Sequence, residues 1–165
     1  MDIQRIIKHL SFSHAALRNT FPRAALDNIE HAIAQVEQTH AGQIRFAVEA
    51  ALNVKPLLAN QTARARAIEL FSHLRIWDTE HNNGVLIYLL LADRRVEIVA
   101  DRGVHGKLGQ TVWTNICRQM ESSFRSGQFE EGVIAGINNV GAHLAHHYPQ
   151  GGVKANELPD RPVVL

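Results

Sequence analysis

The sequence predicts an α/β protein, a three-layer α/β/α sandwich around a small mixed β-sheet, built as a βαβ unit, a β-hairpin and C-terminal helices. Three observations lead there. The run Gly84–Ala92 is apolar on both faces, the pattern of a central strand covered above and below. A short polar link, Asp93-Arg94-Arg95, separates it from the alternating segment Val96–Ala100, which forces an antiparallel hairpin. On either side of this pair, apolar residues recur every three or four positions, as in helices packed on one face.

Taken in chain order, Ile3, Ile6, Ile7 and Leu10 mark a short amphipathic helix over residues 2–10, and the small polar stretch 11–20 reads as a connection. Thr20 and Pro22 suit a helix start, and Leu26, Ile29, Ile33 and Val36 carry that helix over 22–39, with Gly42 as its stop. Gln43–Leu52 alternates, so it is a strand. Residues 53–60, around Pro56, read as a loop, and residues 61–74 as a helix with Ala67, Ile68, Phe71 and Leu74 inward. With the central strand these form the βαβ unit, whose two strands should run parallel.

After the hairpin, Leu108, Val112, Ile116 and Met120 define a helix over 107–125, and Ser126-Gly127 breaks it. Phe129, Val133, Ile137, Val140 and Leu144 carry the last helix to about residue 147. The 165 residues show no repeat and no second compositional regime. One domain over 1–150 is expected, with 151–165, which holds Pro159 and Pro162, as a loose tail.

Composition excludes several functions. Seventeen Lys+Arg against 16 Asp+Glu give a net charge of +1, with no basic excess to hold a nucleic-acid backbone. The single cysteine, Cys117, excludes a disulfide framework and a multi-cysteine zinc site. No signal sequence is read at the N-terminus, and no apolar run approaches the ~20 residues a spanning helix needs, so a cytoplasmic location is expected.

The polar residues that remain cluster at strand ends. Asp78–Gly84 leads into the central strand and offers oxygens suited to a hard cation such as Ca2+ or Mg2+, though without EF-hand spacing. Asp101-Arg102-Gly103-Val104-His105-Gly106 lies between a strand and a helix, where glycines let backbone approach a ligand. It is neither a dinucleotide fingerprint nor a P-loop. His143, His146 and His147 share a helix face but have no carboxylate partner nearby. No nucleophile elbow, C-x-x-C or H-x-E pair occurs.

Four blocks in order, Asn82-Asn83-Gly84-Val85-Leu86-Ile87, Asp93-Arg94-Arg95-Val96-Glu97-Ile98, Gly103-Val104-His105-Gly106 and Phe124-Arg125-Ser126-Gly127-Gln128-Phe129-Glu130-Glu131-Gly132, resemble the pattern of the TPM domain family over about residues 22–148. The closest likeness is to short bacterial members without signal peptide or membrane anchor. The resemblance implies an α/β/α sandwich and divalent cation binding. It includes a plant thylakoid member described as an acid phosphatase, others acting in photosystem repair, and accessory subunits of membrane receptors. This chain departs from the pattern in two places. The stretch Ser13–Phe21 lacks the acid many members carry there, and Gln128 replaces a common Asp.

The leading expectation is therefore a non-catalytic interaction or accessory module that binds a divalent cation, Ca2+ or Mg2+. Its partner would be an envelope protein, such as a membrane-anchored relative. The alternative is a divalent-metal-dependent acid phosphatase with Asp78, Asp101 and Glu130 as metal ligands. A third reading seats a small ligand on the turns that hold Asn83, Gly84, Asp93, Arg102, Gly103, His105 and Gly106.

Overall fold

The computed structural model describes residues 2–152 and 155–165. Among the described residues the elements in order are α1 (Ile3–Ser11), α2 (His14–Thr20), α3 (Arg23–Val36), a 3-10 turn (Glu37–Thr39), β1 (Gln43–Glu49), α4 (Val54–Leu58), α5 (Ala63–His73), β2 (Gly84–Leu90), β3 (Arg95–Ala100), α6 (Arg102–Leu108), α7 (Gln110–Arg125), α8 (Phe129–His147) and β4 (Val163–Val164). The sheet order is β3-β2-β1-β4. β1 runs parallel to β2, with Gln43 opposite Gly84 and Glu49 opposite Leu90, and β2 runs antiparallel to β3. The mixed α/β fold is the one the hydrophobic patterning predicts.

Alternation along β2 explains the layers. Val85, Ile87 and Leu89 enter a core shared with α2, α3, α6, α7 and α8. Leu86, Tyr88 and Leu90 enter a second core under α4 and α5, where Ile6 of α1 also packs. All seven residues of β2 are buried, as are all seven of β1. The polar members of β1 survive burial because each has partners. Arg66 pairs with Glu49 at 2.9 and 3.0 Å, and Tyr88 donates its hydroxyl to Glu49 at 2.7 Å. Among the described residues no helix is long and apolar enough to cross a membrane.

Five expectations are corrected. Residues 11–20 are not merely a connection. Ser13 accepts the Ala16 N–H and caps α2, whose Leu17 and Phe21 reach the core. Thr20 caps nothing; its hydroxyl donates back to the Ala16 carbonyl inside α2. The 53–60 loop contains α4, held by buried Leu57. The helix expected from 107 is two, α6 and α7, parted at Gly109, whose φ of +73° lies in the left-handed region that favours glycine. Gly103 and Gly106 thus sit inside α6 and not on a turn.

The loose tail is the fifth. Residues 153–154 lie outside the described residues, but from 155 onward the chain is tied to the body. Val163 and Val164 pair parallel with Ala47 and Val48, and Leu158 is buried. Arg45 of β1 donates to the carbonyls of Pro159 and Arg161. A buried arginine needs such acceptors, and this segment supplies them as backbone.

Candidate functional site

The hairpin geometry sorts the polar segments onto two opposite rims of the sheet. Val85 lies opposite Ala100 and Leu90 opposite Arg95, so the segments entering β2 and leaving β3 share one rim, whereas Asp93 turns at the other.

At the first rim, Asn83 is fully buried just before β2. Its side-chain amide donates to the Ala41 carbonyl at 2.9 Å, its backbone N–H donates to the Thr79 hydroxyl, and its carbonyl accepts from Gln43. Gly84 follows, and its carbonyl accepts the Asp101 N–H at 2.9 Å. Only glycine fits at 84, because a Cβ would lie 2.2 Å from the Ile76 carbonyl oxygen. At Gly103 a Cβ would lie 2.6 Å from the Asn82 carbonyl oxygen, so the loop before β2 and the start of α6 touch there. Gly106 meets nothing within 4 Å.

Asp101 caps α6 through Oδ1, which accepts the Arg102 N–H at 2.7 Å. Its other oxygen, Oδ2, is buried without a hydrogen-bond partner, and so is Oδ1 of Asn83. Buried polar atoms of this kind are uncommon in folded proteins and ask for an explanation. A cleft of about 600 Å³ that neither Asn83 nor Asp101 lines lies between Ala41, Glu80, His81, Gln150 and Glu157. Its wall is pinned by Gln43, whose Oε1 accepts the N–H groups of Glu157 and Leu158, and by Glu157, which accepts the Glu80 N–H at 2.8 Å.

The remaining expected residues scatter. Asp78 is exposed and faces Arg75 at 3.7 Å. Glu130 sits in the first turn of α8, where it accepts from Asn28 of α3 at 2.7 Å. Only the far end of α8 reaches the rim, about 25 Å of helical rise from Glu130. Arg102 and His105 are exposed on α6. Thus Asn83, Gly84, Asp101 and Gly103 come together, while Asp78, Asp93 and Glu130 do not join them. Among the described residues no group of three or more His, Cys, Asp or Glu side chains is placed to hold a metal ion. Gln43, Glu157 and Tyr148, which shape the rim, were not singled out by sequence; the signal for Gln43 was its polar side chain at the head of a strand with no solvent face.

Asp93, at the opposite rim, binds α1. Its Oδ2 accepts from Arg5 at 3.0 Å and its Oδ1 pairs with His9 Nε2 at 2.9 Å, while His9 Nδ1 accepts the Leu52 N–H at 3.0 Å. Burial works to raise the Asp93 carboxyl, but the hydrogen bonds and charges of Arg5 and His9 overcome it and hold the group below the usual carboxylate range. Cys117 is held away from its thiolate form. Burial first, then Glu97 and Glu121, pushes its thiol up to about 12.

With this geometry in hand, comparison with known proteins is decisive for the family. The family model described as the TPM domain matches residues 16–143. The chain belongs to the TPM domain family. Among solved structures this TPM domain is similar to the BA42 protein of the psychrophilic bacterium Bizionia argentinensis, determined by NMR. The two are 26% identical, the match covers 86% of this chain and 92% of that one, and the TM-score is 0.75. It also shares its fold with the N-terminal domain of a P. gingivalis protein, at 20% identity, 79% and 81% coverage and a TM-score of 0.62. No curated protein matches the chain.

Proposed function

We propose that this TPM domain is a non-catalytic interaction module that takes a divalent cation, Ca2+ or Mg2+, at the rim where β2 begins, and presents that rim to a protein partner of the envelope, such as a membrane-anchored relative. The observation that carries the cation is the pair of buried, unpartnered oxygens, Asn83 Oδ1 and Asp101 Oδ2, on segments joined by the Gly84–Asp101 hydrogen bond. Both are hard oxygen donors, the kind these cations prefer. The inert thiol and the dispersal of Asp78 and Glu130 support a module over a catalyst.

The test is a titration of the purified chain with Ca2+ and with Mg2+, followed by backbone NMR. Shifts confined to residues 82–84 and 101–103, and lost in Asp101→Ala, are expected. Absence of localised shifts there would remove the cation. Turnover of phosphomonoesters that Asp101→Ala abolishes would replace the module with a metal-dependent acid phosphatase.

A further inference from the structure

α1 is docked the reverse way round. An amphipathic helix ordinarily turns its apolar stripe to the core. Here the side facing the body is largely polar, with Arg5 and His9 reaching Asp93 and His9 also accepting from Leu52. The stripe formed by Ile3, Ile7 and Leu10, at i, i+4 and i+7, faces out with exposures of 61%, 62% and 62%. α4 packs against α1 and adds Val54 and Leu58, exposed at 52% and 54%. Leu10 and Val54 line one shallow groove of about 200 Å³, with Phe12 and His14. Large apolar side chains grouped this way on a surface mark a place of association.

Charge decides what covers the patch. From Ile3 to Leu26 there is no Asp or Glu, but there are Arg5, Lys8, Arg18 and Arg23. From Ala50 to Ile68 there is again no acid, but Lys55, Arg64 and Arg66. Lys8 on α1 and Lys55 on α4 are exposed. Asp2, just before α1, accepts the Arg5 N–H as the helix cap. Arg5, Arg64 and Arg66 are matched by Asp93, Glu97 and Glu49, so the basic excess of the two segments that present the apolar groups rests on Lys8, Lys55, Arg18 and Arg23. A second copy of the same face would bring Lys8 and Lys55 against their own kind, since a two-fold interface repeats each patch on itself.

We propose that the α1/α4 face docks on the surface of an anionic lipid bilayer, with Ile3, Ile7, Leu10, Val54 and Leu58 entering the boundary between headgroups and acyl chains and Lys8 and Lys55 meeting the phosphates. This is the arrangement by which amphipathic helices lie in an interface without spanning it. The Asp93 latch holds the helix with its apolar side presented, so the patch is formed before contact.

The test is co-sedimentation of the full chain with vesicles of phosphatidylcholine alone, or with about one third phosphatidylglycerol. Binding to the anionic vesicles only, weakening between about 50 and 300 mM salt, is expected. Ile7→Glu and the pair Lys8→Glu with Lys55→Glu should each reduce it about tenfold or more. These positions are exposed, and circular dichroism checks that the variants fold; should Ile7→Glu unfold, Ile7→Ser serves in its place. No binding to anionic vesicles, or binding that these variants leave unchanged, overturns the proposal. So does a wild-type dimer in sedimentation velocity that Ile7→Glu dissolves without any vesicle binding, because the patch would then belong to a second copy.

Discussion

Asp93 shows how far a residue's role can lie from its sequence neighbourhood. It sits in a hairpin turn, where Asp is an ordinary turn former, yet its partners Arg5 and His9 come from α1. Because its folded value is depressed, its contribution to stability is complete above the ordinary carboxylate value of about 3.9 and is lost as the pH falls through the lower folded value. Asp93→Ala should therefore cost about 2–4 kcal/mol near neutral pH, since charge-assisted hydrogen bonds are lost and His9 is left buried without its partner. Urea denaturation of both proteins checks this. The gap between them should narrow as the pH falls below about 4, and a gap that stays constant or widens would deny the carboxylate its role.

Elements were legible in the sequence where their own pattern decides them. β2 declares itself because a strand greasy on both faces has one place to go, and α8 because its apolar period runs unbroken over Phe129–His147. α2 and α4 escaped because each is a short helix held by one or two residues, Leu17 and Leu57, whose burial depends on the sheet beneath. β4 escaped because two residues flanked by proline carry no period at all; its place is set by Arg45, a partner more than a hundred residues away. The rim was half legible: the Asn83-Gly84 and Asp101 segments could be named, but not that Glu130 lies at the wrong end of α8. The strongest consequence concerns β2. Leu89 is fully buried between Val48 and Val96, within the core that α7 and α8 close. Leu89→Asp puts a charge there with no partner, at a cost above about 5 kcal/mol, comparable to the whole stability of a small domain. The amide NMR spectrum should collapse to that of an unfolded chain, and a dispersed spectrum would mean that this face of the sheet is open to water.

At the scale of the molecule, the hairpin assigns the two polar clusters to opposite ends of one stiff strand. Asn83 and Asp101 lie where β2 begins, and the Asp93 latch lies beyond its other end, with β2 spanning roughly 20 Å between them. Among the described residues the clusters share no hydrogen-bond partner, and the strand that joins them is packed on both faces. Energetic coupling between the rims should therefore be small. Stability measured for Asp93→Ala, Asp101→Ala and the double variant should add to within about 0.5 kcal/mol. Removing Asp101, which caps α6 with one oxygen and buries the other unpartnered, should itself cost no more than about 1–2 kcal/mol. A coupling energy well above ~1 kcal/mol would show that β2 transmits between its ends. Cation binding at one rim would then alter how α1 presents its apolar stripe at the other, and calcium would shift vesicle affinity in the same measurements. With additive energies the two rims act as separate devices, and any effect of calcium on the affinity of the chain for anionic vesicles should be the same in Asp101→Ala as in the wild type.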